Sequence, residues 1–161
     1  MERLWTPWRR AFVEGTDKRS GECFLCEAPL AADDKETLIL MRGNAVYVLL
    51  NLYPYNSGHL MVVPYAHTGD LPGLDADAAA ELMHVTQRSV DVLKQAYQPD
   101  AFNVGMNLGE VAGAGVPDHL HIHVVPRWSG DTNFMPVIAN TKVLPESLEQ
   151  TYERLRPYFA C

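Results

Sequence analysis

The segment His119-Leu120-His121-Ile122-His123-Val124-Val125 places three histidines at alternate positions, with apolar residues between and after them. Strict alternation is the pattern of a β-strand, in which successive side chains point to opposite faces and residues two apart share one. The three imidazoles are therefore expected on one face, with Leu120, Ile122 and Val124 pointing the other way into a core. Half of the chain's six histidines fall in this short run, which disfavours a polar face that is histidine-rich by chance. Two chemical readings remain. Neighbouring histidines can share a metal ion, or the in-plane lone pair of a neutral imidazole can take up a phosphoryl group and pass it on.

Composition narrows the choice of partner. A chain of 161 residues, 47% of them hydrophobic, is long enough for one well-filled core and too short for two ordinary domains. Its net charge of −7 argues against nucleic acid or an anionic membrane and in favour of a small molecule. The longest apolar runs, such as Ala45–Leu50, are strand-sized and fall far short of the roughly 20 residues of a membrane span. The opening Met1-Glu2-Arg3-Leu4-Trp5-Thr6-Pro7-Trp8-Arg9-Arg10 has no apolar core of the signal-peptide kind, and three cysteines make no disulfide framework. A cytoplasmic protein is expected.

Outward from the histidines, the chain reads as strands, two helices and short turns. Trp5, Trp8 and Phe12, interleaved with Arg3, Arg9 and Arg10, form an arm over residues 1–22 that is expected to pin itself onto the domain or a partner subunit. Cys23-Phe24-Leu25-Cys26 is either a redox dithiol or a pair of thiolate ligands. Pro29 and the polar Ala31–Thr37 follow at once, where a redox motif needs a long helix, so metal is favoured. With no second C-x-x-C, any further ligands would be histidines. Thr37–Met41 and Ala45–Leu50 predict a hairpin, Asn51–Gly58 a turn and His59–Tyr65 a third strand, with His67 just beyond Pro64.

Leu74–Tyr97 predicts one long helix with a core stripe of Leu82, Val85, Ser89, Val92 and Ala96, leaving His84 facing solvent. Ala101–Leu108 and His119–Trp128 read as the fourth and fifth strands. The glycine-rich Gly109–Pro117 between them is able to cradle phosphate with backbone N–H groups. An irregular stretch then leads to a C-terminal helix with Pro145 in its first turn and Leu148, Tyr152, Leu155 and Phe159 on one face. Short connections imply antiparallel pairing, hence a single α+β domain: an arm over 1–22, a core over 23–128 with about five strands, and an extension over 129–161.

Together these residues resemble the histidine triad family of nucleotide hydrolases and transferases, whose signature H-x-H-x-H-x-x, with apolar x, is His119 to Val125 here. The resemblance takes in Asn51, Gly58-His59, Pro64 with His67, and Asn107-Leu108-Gly109, covering at least residues 23–128. Leu4-Trp5-Thr6-Pro7-Trp8-Arg9, the Cys23–Cys26 pair and Pro126-Arg127-Trp128-Ser129-Gly130-Asp131-Thr132-Asn133-Phe134 resemble a bacterial branch that phosphorolyses diadenosine tetraphosphate, which extends the likeness over nearly the whole chain.

The resemblance implies roles. His121 would be the nucleophile that forms a nucleotidyl-histidine on the α-phosphorus, His123 would lie beside the phosphate and His59 would support both. Asn51 would bind the ribose, with Leu52, Phe24 and Leu25 against the base. Asn107 and the backbone of Gly113, Ala114 and Gly115 would hold phosphate oxygens. Cys23, Cys26, His67 and His119 would bind one zinc per chain, a structural ion because four protein ligands leave no open position.

A homodimer or larger homo-oligomer is implied as well. Hydrolase branches carry glutamine, serine or threonine before the triad where this chain has Ala114 and Gly115, which leaves room for inorganic phosphate as the second nucleophile. The expected reaction is phosphorolysis of diadenosine tetraphosphate to ATP and ADP. Hydrolysis of dinucleoside polyphosphates or nucleoside phosphoramidates to AMP is the enzymatic alternative, and a nucleotide-binding or interaction module the non-enzymatic one.

Overall fold

The histidine segment enters a strand only from its middle, since β5 runs Ile122–Arg127. The computed structural model describes residues 23–131 and 145–160; the expectations placed on the Trp5/Trp8 arm and on Thr132-Asn133-Phe134 lie outside them. β5 pairs antiparallel with β3 (Leu60–Pro64) and β4 (Ala101–Gly105), so that His123 lies opposite both Met61 and Gly105. β3 pairs with β2 (Val46–Leu50) and β2 with β1 (Ile39–Arg42), giving the order β1-β2-β3-β5-β4, antiparallel throughout. The α+β class with five antiparallel strands is the one that the alternation and short connections imply.

The last two strands are shorter than their sequence signal. Before Ile122 the backbone bonds elsewhere: the Leu120 N–H donates to Thr68 O at 2.8 Å, and the His119 ring bonds Pro64 O. A bend at His119 therefore replaces the first rungs of the expected ladder. Beyond Gly105 the chain turns into the glycine loop.

Three α-helices flank the sheet among the described residues. α1 (Phe24–Glu27) is one turn, continued by a 3-10 turn at Ala28–Leu30. α2 (Ala76–Tyr97) starts where the Asp75 carboxylate accepts the Asp77 and Ala78 N–H groups, and stops at Gln98 in the left-handed conformation. α3 (Leu148–Phe159) begins with a reciprocal cap between Ser147 and Gln150, so Pro145 lies ahead of the helix rather than in its first turn. The cap satisfies two backbone donors that a start at Pro145 would not.

Alternation along the strands divides the core. Leu40, Val48, Leu50, Leu60, Val62, Ile122 and Val124 face α2 and α3, whose Leu82, Val85, Leu93, Tyr152, Leu155 and Phe159 complete one apolar layer. Ile39, Tyr47, Leu49, Met61 and Val63 face the other way and pack on Leu25 of α1. Being out of phase with Ile122 and Val124, His121 and His123 belong to this second face. His84 of α2 is exposed, as its place off the stripe predicts.

Leu155 is fully buried where α3 meets the sheet. Leu155→Ala is expected to lower the unfolding free energy by about 2–5 kcal/mol, read from the urea midpoint at unchanged slope. No helix among the described residues is long and apolar enough to cross a membrane.

Candidate active site

The His119 ring meets the Cys23, Cys26 and His67 side chains. It is 1% exposed, and its Nε2–H donates to Pro64 O at 2.8 Å. That bond leaves the lone pair on Nδ1, which lies 3.3 Å from Cys23 Sγ and 3.4 Å from Cys26 Sγ. His67 Nδ1 approaches Cys26 Sγ at 3.2 Å, and one donor atom from each of the four residues lies within 4.8 Å of the others. The set is two sulfurs and two imidazole nitrogens on three separate segments, with one ring held by a backbone carbonyl. This is the donor chemistry that suits tetrahedral zinc. Burial lowers the His119 pKa, partly offset by the Pro64 bond, which favours the neutral ring that a metal needs.

His121 is 5% exposed, and its Nδ1–H donates to the His119 carbonyl at 2.8 Å. With the proton held on Nδ1, the lone pair sits on Nε2. Burial pushes the ring below the ordinary imidazole range, and the carbonyl bond offsets this only in part, so His121 is neutral near pH 7. A neutral imidazole with a fixed tautomer and a free nitrogen is a prepared nucleophile.

His123 is held in a chain of its own. The Tyr55 backbone N–H donates to His59 Nδ1 at 3.0 Å, which places the His59 proton on Nε2. That nitrogen lies 3.0 Å from His123 Nδ1. Accepting there, a neutral His123 carries its own proton on Nε2, where it is a donor. The His59 and His123 rings are 5.1 Å apart and the His121 and His123 rings 4.9 Å apart. The site therefore sets a nucleophilic nitrogen beside a hydrogen-bond donor. That pairing suits attack on phosphorus with stabilisation of the oxygen that gains charge.

The structure sorts the remaining expected residues. Asn51 closes β2, its Oδ1 accepting the Tyr53 N–H at 2.9 Å and its Nδ2 lying 3.5 Å from His59 Nε2. Leu52 and Phe24 are exposed by 47% and 38%, which leaves them open to a ligand, whereas Leu25 is fully buried beneath Tyr47. The Tyr47 hydroxyl donates to Leu25 O, so α1 is fastened to the sheet through that residue, and of the three expected apolar contacts Phe24 and Leu52 are the ones left open to a ligand.

The glycine loop is tighter than its composition suggests. Gly109 and Gly113, with φ of 82° and 87°, bracket a 3-10 turn at Glu110–Ala112, and the Asn107 amide donates to Gly113 O at 3.3 Å. The Gly113 N–H donates to Glu110 O and the Ala114 N–H to Gly109 O, so two of the three expected backbone phosphate donors are engaged inside the loop. Among the described residues, no bond within the loop engages the Gly115 N–H.

Other contributors were hidden within the segment read as turn chemistry. The Asn56 amide donates to Pro126 O at 3.0 Å and to Asp131 Oδ2 at 2.7 Å, tying the 51–58 turn to the end of β5. Arg127, which the acidic composition makes an attractive phosphate partner, instead forms a two-pronged pair with Asp131 at 2.6 and 2.8 Å and donates to Asn103. The guanidinium holds the Asp131 carboxyl well below the usual range, and Asp131 in turn occupies the guanidinium. Pro64, whose carbonyl fixes His119, lay in plain view as a strand end. Only a strand pairing shows which ring its oxygen meets.

Comparison with known proteins agrees with this geometry. Residues 33–130 match the HIT domain. The AP-4-A phosphorylase of Mycobacterium tuberculosis is 44% identical over 166 aligned residues, covering 99% of this chain and 85% of that protein. A bis(5'-adenosyl)-triphosphatase of Saccharomyces cerevisiae is 32% identical over 91 residues, covering 56% of this chain and 44% of the relative. Among solved structures, a Zn-bound histidine triad family protein of Mycobacterium smegmatis superposes with a TM-score of 0.68 at 25% identity, covering 88% of this chain and 96% of the other. The matched domain takes in His59, the glycine loop and the whole triad segment, and the chain belongs to the HIT family.

Proposed function

We propose that this protein is a nucleotidyl transferase that phosphorolyses diadenosine tetraphosphate to ATP and ADP. One observation carries the mechanism: the His119 carbonyl holds the His121 proton on Nδ1, which leaves the opposite nitrogen free to attack. The choice of substrate is supported by the 44% identity to the mycobacterial AP-4-A phosphorylase over nearly the whole chain.

In the first step His121 Nε2 attacks an α-phosphorus. The N–P bond forms as the bond to the bridging oxygen breaks, and ATP departs with the electron pair. ATP is a weakly basic leaving group, so the step needs little general-acid help. The His123 Nε2–H, oriented through His59, donates to a non-bridging oxygen, with the Gly115 N–H and the Asn107 amide hydrogen not given to Gly113 O as further donors. Asn51 takes the ribose hydroxyls, and Phe24 with Leu52 the base. In the second step a phosphate oxygen attacks the adenylyl group, the N–P bond breaks and ADP leaves, returning His121 to its neutral state. Ala114 and Gly115 put no side-chain hydroxyl or amide before the triad, which favours entry of phosphate over water.

Cys23, Cys26, His67 and His119 are the residues that would hold a zinc ion, which when bound would cross-link α1, the segment after β3 and the bend before β5. Four protein ligands make this a structural role. Reduced thiols fit a cytoplasmic setting. The chain is proposed to work as a homodimer through β4, an edge strand with Val104 half exposed. Size-exclusion chromatography with light scattering checks this, a monomer at micromolar concentration contradicting it.

Chromatography of products from purified protein and diadenosine tetraphosphate tests the reaction. ATP with ADP is expected when phosphate is present, with 18O-phosphate labelling the ADP. AMP as the steady product at saturating phosphate would transfer the assignment to the hydrolase alternative. Tight nucleotide binding without any product would leave a binding module.

A further inference from the structure

Tyr55 lies in the turn between Asn51 and His59 and touches His59 in two separate ways. Its backbone N–H donates to His59 Nδ1 at 3.0 Å, and its ring lies nearly parallel to the imidazole, 17° off, with centroids 4.9 Å apart. The same ring meets His123 edge-on at 6.3 Å and 65°. The backbone bond decides which His59 nitrogen carries the proton. The stack decides the plane in which that proton points. Both settings are required if His59 Nε2–H is to meet His123 Nδ1 at 3.0 Å.

We propose that Tyr55 is a positioning residue for the His59–His123 pair: its aromatic face, not its hydroxyl, keeps His59 aligned so that His123 presents its Nε2 proton to the substrate. This rests on the nucleotidyl-transfer reading for its kinetic part only. A leucine at position 55 keeps the backbone donor and most of the bulk while removing the flat face, so the His59 tautomer survives and its plane does not. Rotation of His59 releases His123, and the donor that should meet the charged oxygen drifts.

The experiment compares wild type, Tyr55→Phe and Tyr55→Leu. It records 15N spectra of the histidine rings and steady-state kinetics with diadenosine tetraphosphate and phosphate. Tyr55→Phe is expected to stay within about twofold of wild type in kcat, and Tyr55→Leu to lose about tenfold in kcat at little-changed KM, the scale of a misplaced catalytic group. The leucine variant should keep the Nδ1 acceptor signature of His59 while the His59–His123 hydrogen-bonded proton signal is lost.

Wild-type kcat in Tyr55→Leu with unchanged ring signals overturns the proposal. So does an equal loss in Tyr55→Phe, which would give the role to the hydroxyl, or a kcat loss with the His59–His123 signal intact. If the leucine variant does not fold, Tyr55→Met, a more pliable filler, is read by the same criteria. If wild type does not turn over this substrate, the nucleotidyl-transfer reading fails, while the ring spectra still decide whether Tyr55 aligns the pair.

Discussion

His121→Ala is expected to lower turnover of diadenosine tetraphosphate by on the order of a thousandfold or more, the scale of removing a covalent nucleophile from a site that otherwise stays intact. Intact-protein mass spectrometry on a short time scale should find one adenylyl group on wild type, removed by phosphate, and none on the variant. The neighbouring substitution separates roles. His123→Ala removes a hydrogen-bond donor but leaves the His121 lone pair in place, so an adduct should still form, slowed by about 10²–10³-fold. His121 is buried and donates to a backbone carbonyl, so replacing it with glutamine does not reproduce its chemistry, since an amide nitrogen has no comparable lone pair. Wild-type rates in His121→Ala would exclude the nucleophile assignment. Equal and complete loss of adduct in both variants would mean that His123 does more than donate.

The triad segment shows how far the sequence alone can be read. Its alternation identified the face that His121 and His123 share and the apolar residues behind it, because side-chain period is a local property. It did not reveal that the strand starts at Ile122, since the bend at His119 depends on Pro64 and Thr68, carbonyls remote in the chain. The family pattern grouped Cys23, Cys26, His67 and His119, and the structure brings their donor atoms within 4.8 Å of one another. The structure adds the reason His119 presents Nδ1 to the thiols, which is again a carbonyl at a strand end.

Backbone bookkeeping of this kind also separates what the loops do from what they resemble. The glycine loop has the composition of a phosphate cradle, yet two of its amides close its own turn. Arg127 has the charge to attract a polyanion, yet Asp131 and Asn103 occupy it. Tyr55 and Asn56 looked like turn residues because their partners, His59 and Asp131, are set by tertiary pairing. Residue type predicts capacity; only the fold decides where that capacity is already used.

That same logic makes the metal centre the second large effect. Metal analysis of protein purified without chelator is expected to give one zinc per chain, and Cys26→Ser or prolonged treatment with a strong chelator to remove it. Loss of the cross-link should release α1 from the second face of the sheet, where Leu25 packs with Ile39, Tyr47, Leu49, Met61 and Val63. A loss of about 3–5 kcal/mol corresponds to roughly a 10 °C fall in melting temperature for a chain of this size. Activity should fall as well, though zinc touches no substrate atom in this scheme: the His119 ring is a ligand, and the His119 carbonyl fixes the His121 tautomer. Any slack at the metal therefore reaches the nucleophile across a single residue. Adduct formation in the zinc-depleted protein should slow by about tenfold or more at a temperature where circular dichroism shows it still folded. Readdition of zinc after chelation should restore both stability and rate, whereas Cys26→Ser, with an oxygen in place of one sulfur, should recover neither in full. Far less than one zinc per chain together with wild-type stability would exclude the metal. Full zinc content whose removal leaves the rate unchanged in folded protein would keep the ion but cut its link to His121.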